Sequence, residues 1–498
     1  MPEPRMWQLT AGSAALGLAL AAVAVTAAGP WDSGQRTAER ARAAAPAAGG
    51  AHHAPPPPPA PAAPRRPAPA PSAPGVLPAL HAPATAGRPA GRPADLAAVL
   101  VPLLADPGLG PLRTASVVDT ATGTQLYGEG AGTPMTPAST VKIATVAAAL
   151  SALGPDHRIP TTVTASTDGR TVTLTGGGDP TLDPARLRAL AADTARALRT
   201  RGHTSVRLTY DTSLYTGPEL HPIGPNENLA PVTALMTRGG RLDASGSGPA
   251  PRSADPAGAT ATAFAGLLAD AGITVTGDPA PAPAPSPTPR TGTPKTGTQT
   301  GSTPKPAPAP KPAPLARTYS APLAELAERT LTHSDNDLAE ALARQTAIAR
   351  EQPASFQGAE KAVHDELAGL GLPLAGARFA DGSGLDRRDR VSAALLTALL
   401  TRAADPAHPA LRPLLTGLPV GGFTGTLAGR FDTAPATAGA GLVRAKTGTL
   451  TGVNTLAGTV VTPDGRLLAF AFLAGSTLSP YEAQPALDRL SAALAAPN

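Results

Sequence analysis

Apolar and polar positions along this chain fall into blocks whose periods predict distinct elements. The run Asp95-Leu96-Ala97-Ala98-Val99-Leu100-Val101-Pro102-Leu103-Leu104 predicts a short helix at which order begins, near Ala94. Thr114 to Asp119 and Thr124 to Tyr127 flank a Thr-Gly turn and predict a β-hairpin. A helix follows from about Ser139 to Leu153, then a strand from Thr171 to Thr175 that runs into Gly176-Gly177-Gly178-Asp179-Pro180. Asp183 to Thr200 predicts a helix and Val206 to Tyr210 a strand. Further on come helices near Pro322 to Thr332 and Asn336 to Arg350, and strands at Leu442 to Gly448, Thr455 to Thr462 and Leu467 to Ala474. Pro463-Asp464-Gly465 turns between the last two, and a helix from Ala483 to Ala495 closes the pattern.

Two stretches break this patterning. Residues 31–93 are dominated by Ala, Pro, Gly and Arg, and residues 278–316 alternate Pro with Ala, Thr and Lys. Such compositions offer too little apolar area to offset the entropy of ordering, so both read as disordered: an N-terminal arm and a surface loop. Ahead of the arm, Trp7 to Ala28 is apolar and uncharged with Arg5 before it. This reads either as a secretory signal peptide, with Ala22-Val23-Ala24 as a cleavage site, or as a retained membrane anchor; both place the protein outside the cytoplasm.

Composition narrows the chemistry. Of 498 residues, 60 are Pro and 52 are Gly, and aromatics make up only 3%, so the folded part is smaller than the length suggests. The net charge of +5 comes from scattered arginines rather than a basic patch, which argues against nucleic-acid binding. The absence of cysteine excludes disulfides, thiolate metal sites and cysteine nucleophiles. Histidines do not fall in a His-Glu-x-x-His spacing and no Gly-x-Ser-x-Gly elbow occurs, so neither a zinc hydrolase nor a Ser-His-Asp hydrolase is expected, and no metal or cofactor.

Ser139-Thr140-Val141-Lys142 stands at the start of a predicted helix, where i, i+3 spacing puts hydroxyl and ammonium on one face. Alone, the pattern equally describes a capping serine followed by a solvated lysine. A second match, Ser302-Thr303-Pro304-Lys305, carries a helix-breaking proline and lies inside the Pro-rich run, where a copy of a later motif, Lys295-Thr296-Gly297, also falls. What separates Ser139 from these is an ordered set: Ser334-Asp335-Asn336 in a turn that caps a helix, then Lys446-Thr447-Gly448 on a strand. There Gly448 would admit the close approach of a peptide ligand.

In these three motifs and their order the chain resembles the penicillin-recognising serine enzymes. The long interval between Lys142 and Ser334 narrows the resemblance to the D-alanyl-D-alanine carboxypeptidase/endopeptidase branch of penicillin-binding proteins, the low-molecular-mass class C type. That branch carries an inserted domain in this interval. Gly178-Asp179-Pro180, Asp211 to Tyr215, Asp381-Gly382-Ser383-Gly384-Leu385 and Leu418 to Gly422 with Gly425-Thr426-Leu427 extend the likeness from about Ala94 to the end. The resemblance implies an α+β fold: a transpeptidase/β-lactamase-like domain, with an antiparallel sheet flanked by helices, and an insertion. It implies an N-terminal signal or anchor at 1–30, the arm at 31–93, catalytic parts at 94–158 and 317–498, the insertion at 159–277 and the Pro-rich loop at 278–316. The stretch from Ala230 to Ala257 is short and Gly/Pro-rich, so a further small domain within the insertion is expected to be reduced or missing.

Position by position, the resemblance implies Ser139 as the acylated nucleophile, Lys142 as its base and Ser334 as a proton shuttle. Asn336 would hold the acyl-side amide, and Lys446, Thr447 and Thr449, beside Gly448, would receive the terminal carboxylate. Backbone N–H groups of Ser139 and Thr449 would form the oxyanion hole. Arg387, Asp211 and Tyr215 match positions that face a pocket for the peptide's side-chain carboxylate; Arg387 beside Arg388 and Arg390 reads equally well as a solvated arginine. The implied partners are stem peptides of the cell wall as substrate and β-lactams as inhibitors. A wall-associated sensor without turnover and a β-lactamase are the alternatives.

Overall fold

The computed structural model describes residues 93–282 and 314–496. The expected N-terminal segment, nearly all of the arm and most of the Pro-rich loop lie outside the described residues, as do the Ser302 and Lys295 motif copies. Among the described residues no helix is long and apolar enough to cross a membrane.

Two sheets organise the chain. It opens with α1 (Pro93–Leu104), then β1 (Leu112–Asp119) and β2 (Gln125–Glu129), the expected hairpin. Helix α2 (Lys142–Leu153) leads into β3 (Pro160–Ala165), β4 (Thr171–Thr175), α3 (Pro184–Thr200), β5 (Ser205–Asp211), α4 (Pro256–Asp270), β6 (Thr274–Val275) and β7 (Ala280–Pro281). Beyond the Pro-rich run come β8 (Ala316–Tyr319), α5 (Leu323–Thr332), α6 (Asn336–Ala349), α7 (Phe356–Gly369), α8 (Ala393–Ala404) and α9 (Arg412–Thr416). The chain ends with β9 (Val443–Leu450), β10 (Val453–Val461), β11 (Leu467–Gly475) and α10 (Pro480–Ala493).

The first sheet has the order β2-β1-β11-β10-β9 and is antiparallel throughout, with Leu112 opposite Gly475 and Asn454 opposite Thr449. Its central strand is buried on both faces. Along β11, Leu468, Phe470, Phe472 and Ala474 enter the core shared with α1 and α10, while Ala469, Ala471 and Leu473 enter the core shared with α2 and α5 to α8. A strand covered on both sides needs no polar alternation, which is why it reads in the sequence as one apolar run.

The second sheet, β6-β5-β4-β3-β8 with β7 also on β5, lies wholly in the interval between Lys142 and Ser334. It mixes parallel pairs (β4 with β5) and antiparallel ones (β3 with β4) around its own core of Val163, Val172, Leu174, Leu208, Phe264 and Leu268. Helix α3 starts where Asp183 accepts the Arg186 N–H at 2.8 Å and Pro184 takes the first helical position, a strong start signal. The Pro-rich run leaves this sheet from β7 and returns to it as β8, paired with β3. From residue 212 to 255 the insertion contains no regular element longer than the short 3-10 turn Arg238–Gly240.

Candidate active site

Ser139, expected at the start of a helix, stands one turn ahead of it. It occupies a 3-10 turn, Ala138–Val141, and α2 begins at Lys142. The helix is buried on every side from Lys142 to Leu150 and built largely of small residues, so it lies in the middle of the α core and holds the preceding turn rigidly. A turn of 3-10 geometry keeps residues i and i+3 eclipsed, and Lys142 Nζ comes 2.9 Å from Ser139 Oγ.

Lys142 is fully buried, and burial pulls its pKa down to about 8 against the opposing charges of Asp381, Glu340, Asp335 and Asp389. Its ammonium donates to Ser139 Oγ, to Asn336 Oδ1 at 2.6 Å and to the Ser383 carbonyl at 2.5 Å, so each of its three protons has an acceptor. A lysine held this way loses a proton far more readily than a solvated one and has only one reactive neighbour, the hydroxyl.

The second motif brings Asn336 here through backbone geometry. Ser334 takes a positive φ of 56°, which turns the chain sharply, and Asp335 caps α6 by accepting the Leu338 N–H at 3.0 Å. Asn336 then bridges inward to Lys142 and outward, donating to the Asn228 carbonyl of the insertion at 3.0 Å. Next to it, Asp337 is buried against Arg252 of the insertion, with Arg252 Nη1 2.6 Å from Oδ2, and accepts the Ala230 N–H at 2.9 Å. Burial and the nearby Asp335 charge raise the Asp337 pKa to about 6.

The third motif lies on β9. Lys446 is fully buried, donates to the Thr447 carbonyl at 2.8 Å, and is held well below its usual pKa by burial and by the charge of Lys142. Thr447 Oγ1 donates to Thr426 Oγ1 at 2.8 Å, and the Gln484 amide of α10 approaches Thr449 Oγ1 at 3.4 Å. Gly448 allows a close approach of the nucleophile's own turn. A Cβ there would lie 2.1 Å from Thr455 Oγ1 and 2.6 Å from the Pro137 carbonyl. The missing side chain lets β9 pack against the residues that carry Ser139.

Ser139, Ser334, Asn336, Thr447 and Thr449 line one cleft of about 420 Å³, with Asn228, Arg241 and Arg252 of the insertion on its wall and Leu385, Thr426 and Gln484 beside them. Such a cleft, with a hydroxyl, a depressed lysine and further hydroxyl donors converging, can bind an acyl donor and transfer its acyl group. The family model described as the D-Ala-D-Ala carboxypeptidase 3 (S13) family matches residues 96–251 and 295–494, well over half of the chain. The chain belongs to this S13 family. It is 36% identical over 449 residues to carboxypeptidase DacB of Mycolicibacterium smegmatis, covering 87% of this chain and 90% of that one. The D-alanyl-D-alanine carboxypeptidase of an Actinomadura species is 32% identical, with 73% of this chain and 78% of that one covered. Among solved structures, penicillin binding protein 4 of Haemophilus influenzae shares the fold, at a TM-score of 0.60 and 22% identity over 80% of this chain and 97% of that one.

Three residues expected to face a side-chain pocket, Asp211, Tyr215 and Arg387, do not line this cleft. Asp211 accepts the Ser213 N–H at 2.8 Å, and Tyr215 sends its hydroxyl to the Gly178 carbonyl at 3.4 Å with its ring beneath the Arg344 guanidinium. Burial pushes the Tyr215 phenol up to about 12. Arg387 is exposed and donates to the Thr451 carbonyl at 2.7 Å. None of the three is among the residues that line the cleft holding Ser139.

Behind Lys142 lies a buried cluster of His221, Glu340, Asp381 and Arg344, of which only Asp381 falls in a segment singled out in the sequence. His221, Glu340 and Asp381 bring potential metal-ligand atoms within 4.8 Å of one another. Their lone pairs are already engaged: Glu340 accepts from Gly382 N, Ser383 N and Arg344, and Asp381 from Ser383, Gly384, Asp386 and His221. The set is a hydrogen-bonded brace for the segment Asp381 to Leu385. Its only sequence signals were the Gly-spaced turn Asp381-Gly382-Ser383-Gly384 and the i, i+4 pair Glu340 and Arg344.

Proposed function

We propose that the protein is a serine-type D-Ala-D-Ala carboxypeptidase and DD-endopeptidase that hydrolyses peptidoglycan stem peptides through an acyl-enzyme and is blocked by β-lactams, acting outside the cytoplasm. The observation that carries this reading is the contact of 2.9 Å between Ser139 Oγ and a buried lysine whose pKa has fallen to about 8. Neutral Lys142 takes the hydroxyl proton as Oγ attacks the carbonyl carbon of the penultimate residue. The oxyanion is received by the backbone N–H groups of Ser139 and Thr449, the Asn336 amide holds the acyl side, and Lys446, Thr447 and Thr449 take up the terminal carboxylate. Ser334 passes a proton to the leaving amine, and water then cleaves the ester. The catalytic unit comprises residues 94–158 and 317–498, with residues 159–277 as an insertion to which β8 adds a strand.

Incubation with penicillin followed by intact mass spectrometry tests the nucleophile: an adduct on Ser139, absent in Ser139→Ala, is expected. Chromatography of products from purified muropeptides tests the reaction, with released D-alanine or cleaved cross-links expected. A stable adduct with no peptide turnover would point to a sensor, and fast penicillin hydrolysis to a β-lactamase.

A further inference from the structure

His221 lies on the stretch of the insertion that follows β5, only 2% exposed, and reaches across to the catalytic side of the chain. Its Nδ1 accepts the Ile223 N–H at 3.2 Å, which leaves the ring proton on Nε2, and Nε2 lies 2.9 Å from Asp381 Oδ2. The other carboxylate oxygen of Asp381 accepts the Gly384 N–H at 2.6 Å. That N–H belongs to the same peptide unit as the Ser383 carbonyl. A trans peptide directs its N–H and C=O in opposite directions, so the unit that Asp381 grips by its N–H presents its oxygen to Lys142 Nζ at 2.5 Å.

The result is a continuous hydrogen-bonded path from Ile223 N–H through His221, Asp381 and the 383–384 peptide to Lys142. A carboxylate on the N–H side of a peptide polarises it and strengthens its carbonyl as an acceptor. Geometry closes the alternatives for this loop. Gly384 has φ of +84°, and a Cβ there would lie 2.1 Å from the Ala138 carbonyl, so the loop is seated directly on the nucleophile's turn. Thr145 Oγ1 of α2 fixes the preceding peptide by donating to the Gly382 carbonyl at 2.8 Å.

We infer that His221 is a positioning residue for Lys142: by holding Asp381 it orients the Ser383 carbonyl that keeps the amine against Ser139, which makes the base depend on the docked insertion. This rests on the acyl-transfer reading of Ser139 and Lys142 given above. His221 touches neither substrate nor reacting atoms.

The test compares His221→Leu, which keeps volume but has no donor, with His221→Gln, whose amide can still donate to Asp381. Fluorescent penicillin reports the acylation rate of the full chain, normalised to the folded fraction from near-UV circular dichroism. Acylation is expected to fall about tenfold or more in His221→Leu and to return to within about threefold of wild type in His221→Gln, the range for loss of one buried charge-assisted hydrogen bond. Packing alone would be kept better by leucine than by glutamine, so rescue by glutamine is not the mark of a structural role. Wild-type rates in His221→Leu, or equally slow leucine and glutamine variants, overturn the inference while a wild-type adduct on Ser139 leaves the functional reading intact. A wild type that takes no penicillin sinks both. Should His221→Leu not fold, ¹⁵N-histidine NMR of the wild type decides: the hydrogen-bonded Nε2–H signal is expected to shift when Ser139 is acylated, and an unmoved signal refutes the path.

Discussion

The depressed pKa of Lys142 gives the sharpest prediction, because it fixes where on the pH scale acylation is lost. Burial brings the group to about 8, and the base is its neutral form. Roughly one molecule in ten is then competent at pH 7 and one in a hundred at pH 6, so the acylation rate constant should fall about tenfold per pH unit below pH 7 and level off above about pH 9. Fluorescent penicillin in rapid-quench mixing measures this. The same ionisation is linked to folding. An unfolded chain keeps this proton up to the ordinary value of 10.5, the folded one only to about 8. Between these values the unfolded state binds more protons, so stability rises with pH by about 3 kcal/mol across the window, and below it the cost of burying the charge is carried in full. Lys142→Met should abolish acylation and flatten that rise in denaturant titrations taken at several pH values. A wild-type profile that is flat from about pH 6 to 9, or one that breaks near the ordinary histidine value of about 6.5, would refute the assignment of Lys142 as base.

Gly448→Ala places a methyl 2.1 Å from Thr455 Oγ1 and 2.6 Å from the Pro137 carbonyl, so thermal unfolding should show a loss of about 1–3 kcal/mol, and acylation should fall with it because the strain falls on the Ser139 turn. For the buried pair Arg252 and Asp337, with side chains only 5% and 4% exposed, Arg252→Ala or Asp337→Ala alone should cost about 3–5 kcal/mol in denaturant unfolding, and Arg252→Met with Asp337→Leu together much less. At Ser334, whose φ is +56°, the glycine variant should be about 1 kcal/mol more stable than the alanine variant, the reverse of the order in a helix, while both lose peptide turnover in the muropeptide assay.

How much of this was legible depended on whether a feature is local. The β1 and β2 hairpin, the Asp183 cap of α3 and the three C-terminal strands follow from patterning and turn chemistry that neighbouring residues decide. Ser139, Lys142, Asn336 and Lys446 could be singled out because each sits in a short motif, and the fold brings them together behind one cleft or along its wall. Helices α4, α7 and α8 went unread although each begins at a capping residue, Asp255 ahead of Pro256, Ser355 and Ser392; a single cap is also common in loops, and alanine-rich faces blur the apolar period that would have confirmed it. His221 and Asp381 are separated by 160 positions, and nothing around either residue in the sequence announces the other. The packing of Gly448 on the Ser139 turn was hidden for the same reason. A glycine in a strand signals a close approach, but which partner approaches is a long-range fact.

The coupling of the two sheets explains why the insertion carries so little regular structure where it meets the site. Four of its contacts converge on the N-terminal turn of α6 and the adjoining loop: the Asn228 carbonyl on Asn336, the Ala230 N–H and Arg252 on Asp337, and His221 on Asp381. Three are made by backbone groups or by a charge that is worth little unless buried, so they count only when the stretch from 212 to 255 is seated. Helix α6 in turn carries Asn336 at its first position and Glu340 one turn later, and both act on the surroundings of Lys142. Disturbing the insertion should therefore slow acylation before it unfolds the antiparallel sheet, whose core on both faces of β11 includes none of these residues. In a urea titration, fluorescent-penicillin labelling of Ser139 is expected to fall at a lower concentration than the near-UV signal of the folded core. Coincident transitions would show instead that the insertion and the sheet unfold as one unit.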